Sequence, residues 1–99
     1  MDTHGVFLIK DGDFIWGFHM LADGGNIKTF YDNNKYLSDF QTIFKNALEY
    51  FSEDGYDDRS YLNFFKKKFD YTEEYVHWTH YTAYFDGERW HNDWEIKTI

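Results

Sequence analysis

Short apolar runs broken by Asp-Gly turn signals mark both ends of the chain, and helical spacing marks its middle. Val6-Phe7-Leu8-Ile9 and Phe14-Ile15-Trp16-Gly17-Phe18 flank Lys10-Asp11-Gly12-Asp13, and Asp-Gly between apolar runs signals a two-residue hairpin turn. With Asp11-Gly12 as that turn, Lys10 faces Asp13, Leu8 faces Ile15 and Val6 faces Gly17. Phe7, Ile9, Phe14, Trp16 and Phe18 share the other face. Both faces are apolar, so the hairpin is expected at the centre of a sheet or under a cover. Asp23-Gly24-Gly25-Asn26 reads as a second turn, Ile27–Tyr31 as a third strand, and Asp32-Asn33-Asn34 as a loop.

Ser38 is expected to open a helix, with Gln41 completing a capping box. Phe40, Ile43, Phe44, Ala47, Leu48 and Phe51 then recur at helical spacing, and Ser52-Glu53-Asp54-Gly55 ends the run. A second helix is expected from Asp58 or Ser60, with Tyr61, Leu62, Phe64, Phe65 and Phe69 on its apolar side. Lys66-Lys67-Lys68 then complement the negative end of that helix. Tyr75–Phe85 and Glu88–Ile99 flank Asp86-Gly87 as a last hairpin. The predicted fold is α+β: an antiparallel sheet of about five strands, in the order β-β-β-α-α-β-β, with two helices on one face.

Length and composition narrow the picture. Ninety-nine residues make one domain, 1–99. With 11 Phe, 9 Tyr and 4 Trp the chain can build a core, which excludes an acidic disordered protein. The absence of cysteine removes disulfides, thiol nucleophiles and Cys-based zinc sites, and fits the cytoplasm. There is no membrane-spanning run and no leader pattern. A net charge of −8, from 10 Lys plus Arg against 18 Asp plus Glu, argues against direct nucleic-acid binding. It favours a basic partner, drawn in by long-range attraction.

Candidate chemistry is sparse. With Asp86-Gly87 as the turn, Phe85 faces Glu88. One face of the last hairpin then holds His77, Thr79, Tyr81, Ala83 and Phe85, opposite Ile96, Trp94, Asn92, Trp90 and Glu88, and is expected against the helices. On the other face Trp78 opposes Glu95, His80 opposes Asp93, Thr82 opposes His91 and Tyr84 opposes Arg89. His80, Asp93 and His91 thereby form a candidate acid–base or metal-binding group. His4 and His19 also oppose each other. No Walker, H-E-x-x-H or G-x-G-x-x-G pattern is present, and Asp54–Asp58 lacks the ligand spacing of a calcium loop. No catalytic residue, metal ligand or cofactor is therefore assigned.

Carboxylates cluster at Glu49, Glu53, Asp54, Asp57 and Asp58, with Tyr56 among them. Together with Trp78, Tyr84, Asp93 and Glu95 they form the expected partner-binding surface, in which spaced carboxylates imitate phosphates and aromatics supply anchors. In composition alone, a short, acidic, aromatic-rich chain without Pro or Cys resembles small phage inhibitors such as anti-CRISPR and anti-restriction proteins. It also resembles immunity proteins that neutralise nuclease toxins. That resemblance implies an inhibitor of a basic nucleic-acid-handling protein. The alternatives are a small metal-binding or acid–base protein using His80, His91 and Asp93, and a structural homodimer.

Overall fold

The computed structural model describes residues 4–20, 24–52, 62–68 and 81–94. Its elements are β1 (Gly5–Asp11), β2 (Phe14–Met20), α1 (Gly25–Asn34), α2 (Phe40–Ser52), β3 (Leu62–Lys68), β4 (Tyr81–Phe85) and β5 (Trp90–Asn92). The five strands form one sheet in the order β3-β2-β1-β4-β5. The strand count and the α+β class match the sequence reading, but the order along the chain is β-β-α-α-β-β-β. The sheet is mixed, not antiparallel, because β4 lies parallel beside β1.

Both Asp-Gly turns are displaced by one residue from the expected position. Asp11 pairs with Phe14, Lys10 with Ile15, Leu8 with Gly17 and Val6 with His19. The loop is therefore Gly12-Asp13, and Gly12 takes the positive φ of 60°. Asp11 stays in the strand, where its Oδ2 accepts a hydrogen bond from Trp16 Nε1 at 3.1 Å. In the last hairpin Tyr84 pairs with His91 and Phe85 with Trp90. Asp86 closes onto Arg89 through a 3.0 Å backbone bond, leaving Gly87, at φ 100°, to open the loop. Asp86 Oδ1 accepts the amides of Glu88 at 2.8 Å and Arg89 at 2.7 Å. In each case glycine fills the first loop position and aspartate the rung before it. Every cross-strand pair moves by two residues, so the inward and outward faces survive unchanged.

Two segments exchange structure type. Ile27–Tyr31, expected as a strand, lies in α1, as do Asp32-Asn33-Asn34. Ile27, Phe30, Tyr31 and Asn34 are its buried residues, a spacing of three and four that fits one helical face. Asn34 ties the helices together: its Nδ2 donates to Phe30 O at 2.8 Å and its Oδ1 accepts from Asn46 Nδ2 at 2.9 Å. Conversely, the residues expected to begin a second helix form β3. Phe64 and Phe65 point to opposite sides of that strand. Phe64 rests on Trp16 and Phe18 with ring centres 5.4 and 4.9 Å apart, while Phe65 packs onto the second core on the far face. Lys66–Lys68 thus belong to an outer strand of the described sheet, not to a helix end.

Helix α2 lies where expected, but Asp39, not Ser38, caps it. Asp39 Oδ2 accepts the amide of Thr42 at 3.1 Å and its hydroxyl at 2.6 Å. These two bonds hold the Asp39 carboxyl below its usual range, the hydroxyl contributing most. Ile43, Ala47 and Phe51 are buried, whereas Leu48 is exposed.

Both helices cover one face of the sheet. Their Ile27, Phe30, Tyr31, Ile43, Ala47 and Phe51 meet Phe7, Ile9, Phe18, Met20, Ala83 and Phe85 of the strands. Phe7 sits at the middle, with ring centres 4.9 Å from Phe30, 5.9 Å from Phe18, 6.5 Å from Phe51 and 5.6 Å from Trp90. Trp90 Nε1 donates to Leu37 O at 2.8 Å, joining the last hairpin to the interhelical link. On the other face Val6, Leu8, Ile15 and Tyr84 form a second, smaller core.

Two stability measurements check this account. Phe7→Ala should cost about 3–5 kcal/mol, a large share of the roughly 5–15 kcal/mol typical of a domain, and guanidinium unfolding will read it. In urea, Gly12→Ala should lower stability by about 1–2 kcal/mol through its left-handed backbone. Gly25→Ala is the control: its new methyl meets nothing within 4 Å and needs no positive φ, so it should leave the midpoint unchanged or raise it.

Candidate functional site

The His80–Asp93–His91 group is not assembled by the residues described. His80 lies outside them. His91 Nε2 pairs at 2.8 Å with Asp86 Oδ2, and its ring stacks on Tyr84 with centres 5.7 Å apart. Asp93 turns inward, where its Oδ1 accepts the amide of Thr82 at 2.9 Å and its own amide donates to Thr82 O at 3.1 Å. The two-residue shift in pairing explains this. It brings His91 opposite Tyr84 instead of Thr82 and hands Thr82 to Asp93.

Asp86 is the most strongly perturbed acid described. The bond from His91 is the main cause, followed by the amides of Arg89 and Glu88, and its pKa falls to about 2. The arrangement holds an imidazole in place at the surface, with Asp86 as its orienting carboxylate. Among the described residues no group of three or more His, Cys, Asp or Glu side chains is placed to hold a metal ion.

The expected partner-binding surface is only partly within view. Glu49 is exposed on α2. Tyr84, expected at the surface, is 9% exposed and part of the second core. Asp93 is half-buried. Glu53, Asp54, Tyr56, Asp57, Asp58, Trp78 and Glu95 lie outside the described residues, as do the paired strand ends expected before Tyr81 and after Trp94.

Leu62, Met20, Gly5 and Tyr81 form a single rung across β3, β2, β1 and β4. The opposite end of the sheet carries the two tight turns, with Lys68 paired to Phe14 beside the first of them.

A surface that the sequence did not reveal runs from β2 and β3 onto α2. Phe14 and Phe64 are exposed, Trp16 packs 5.0 Å from Phe44, and Phe40 stacks on Phe44 at 5.4 Å. Lys66 Nζ lies 4.8 Å from the centre of the Phe14 ring and 4.5 Å from that of Trp16, within cation–π range. A helical reading of 61–69 hides this patch, because it separates Phe64 and Lys66 from β2. Strand alternation at Phe64, Phe65 and Lys66 is the signal that would have found it.

No described helix is long and apolar enough to cross a membrane. No family model, curated protein or solved structure matches the chain.

The Asp86–His91 pair makes a direct prediction for pH. Because the carboxyl is lowered from 3.8 to about 2, the contribution of Asp86 is complete above pH 4 and disappears as pH falls toward 2. The carboxyl carbon of Asp86, followed by NMR, should titrate near pH 2. In His91→Ala its midpoint should rise toward 3.8 without reaching it, since the two amides remain. An unchanged midpoint in His91→Ala would show that the imidazole does not govern this carboxylate.

Proposed function

We propose that this chain is a small acidic binding protein, without enzymatic activity of its own, that inhibits a basic nucleic-acid-handling protein by occupying its nucleic-acid site. A nuclease or a defence effector of the CRISPR or restriction kind is the partner class. The observation that supports this most is the net charge of −8, with Glu53, Asp54, Asp57 and Asp58 following in sequence the exposed Glu49 of α2. A basic groove responds to such a concentration of carboxylates by long-range attraction before any contact forms. Glu53, Asp54, Asp57 and Asp58, between α2 and β3, are the leading contact residues, with Glu49 beside them on α2. Tyr56, Trp78 and Glu95 complete the proposed surface. Tyr84 and Asp93 support it from within. This role belongs in the cytoplasm, where such partners act.

Tagged protein used to capture partners from host-cell lysate, at low and at moderate salt, tests the reading. The expected result is a basic nucleic-acid-binding protein that added DNA or RNA displaces. The triple variant Asp54→Lys, Asp57→Lys, Asp58→Lys should lose that capture and flatten the salt dependence of the residual binding. Capture that nucleic acid does not displace, or that the triple variant retains in full, overturns the proposed mode of action.

A further inference from the structure

His4 and His19 are brought together at the start of the first hairpin. His19 pairs with Val6 across the strands, and His4 lies two residues before Val6, so the histidines are diagonal neighbours on one face. Their ring centres are 5.6 Å apart, with planes inclined at 56°. His19 Nε2 is buried and has no hydrogen-bond partner among the described residues. A buried ring nitrogen left without a partner requires an explanation, since it costs free energy that a neighbouring group or ligand normally recovers.

We propose that His4 and His19 form a two-histidine binding site for a divalent transition-metal ion of the zinc class. Two imidazoles bound to one ion, with metal–nitrogen bonds of ~2.0–2.1 Å, place their ring centres roughly 5–6.5 Å apart, which the observed spacing meets. The ion takes the lone pair of His19 Nε2 and gives that buried atom the partner it lacks. His4, half-buried at the start of β1, provides the route from solvent, and water fills the remaining positions. Imidazole must be neutral to ligate. The two ligands are imidazole nitrogens, which oxygen-preferring ions such as Mg²⁺ take poorly. This site does not depend on the inhibitor reading, because it uses none of the acidic segments.

Titration of the full chain with ZnCl₂ by calorimetry, with NiCl₂ and MgCl₂ in parallel, tests the assignment. The expected result is one equivalent of Zn²⁺ or Ni²⁺ bound and none of Mg²⁺. Loss of a group behind a ligand costs about 10–100-fold in metal affinity, so His4→Ala and His19→Ala, which remove ligands, should each weaken binding at least about tenfold. His91→Ala, at the distant hairpin, should not. Because His19→Ala alters a packed position, wild-type protein supplies an independent readout: substoichiometric Ni²⁺ should broaden the ring resonances of His4 and His19 before those of His91. No Zn²⁺ or Ni²⁺ binding by wild-type protein overturns the proposal. So does binding that both substitutions leave intact, or broadening that begins elsewhere.

Discussion

The ring of Phe7 is the contact through which the layers of this fold meet. It belongs to the central strand β1 and is fully buried. It touches one aromatic ring each from β2, α1, α2 and β5. Offset and tilted aromatic pairs add to the free energy of burial itself. With no other described residue reaching four elements through ring contacts, the placing of Phe7 fixes the height of both helices above the sheet. The strand order follows the same constraint. A central β1 flanked by β2 and β4 buries both of its faces, which is why Gly5–Ile9 is buried at every position.

What the sequence made legible is a matter of period. The faces of both hairpins were readable because side chains alternate with a period of two, and a slip of two residues leaves them intact. The pairing itself was not readable. Asp-Gly admits a loop that begins at either residue, and the choice rests on Asp11 bonding Trp16 and Asp86 bonding the Glu88 and Arg89 amides. Helix α2 was legible because its apolar residues recur over three turns. Segments 27–34 and 62–68 were not, because each is short. Ile27, Thr29, Phe30 and Tyr31 have strand propensity, yet the buried set extends to Asn34, a polar residue that pattern reading discards. Phe64-Phe65 resembles a helix face only if both rings serve one core, and here they serve two.

The site was legible as composition but not as geometry. An acidic excess was plain from the residue counts, whereas the burial of Tyr84 in the second core needed the strand registers. The reverse holds for the basic run. Lys66–Lys68 are conspicuous in the sequence, but their place on an outer strand gives them a different sense. Lysines on an edge discourage another strand from pairing there, and Lys66 at the same time covers the Phe14 and Trp16 rings.

The unsatisfied groups lie close to the Leu62–Met20–Gly5–Tyr81 rung. Among the described residues, two buried side-chain atoms lack a hydrogen-bond partner: His19 Nε2 and Asp93 Oδ2. His19 pairs with Val6, Val6 with Thr82, and Thr82 is bonded to Asp93, so both atoms fall on the rung next to Met20, Gly5 and Tyr81. The opposite end of the sheet has its polar groups engaged: Asp11 by Trp16, and Asp86 by His91 and two amides. Each orphan costs about 1–3 kcal/mol, and a chain of this length has little stability to spare. Local rules are usually broken where a molecule acts rather than where it merely holds together. The aromatic core around Phe7 is the support that lets this end of the sheet carry its unsatisfied groups.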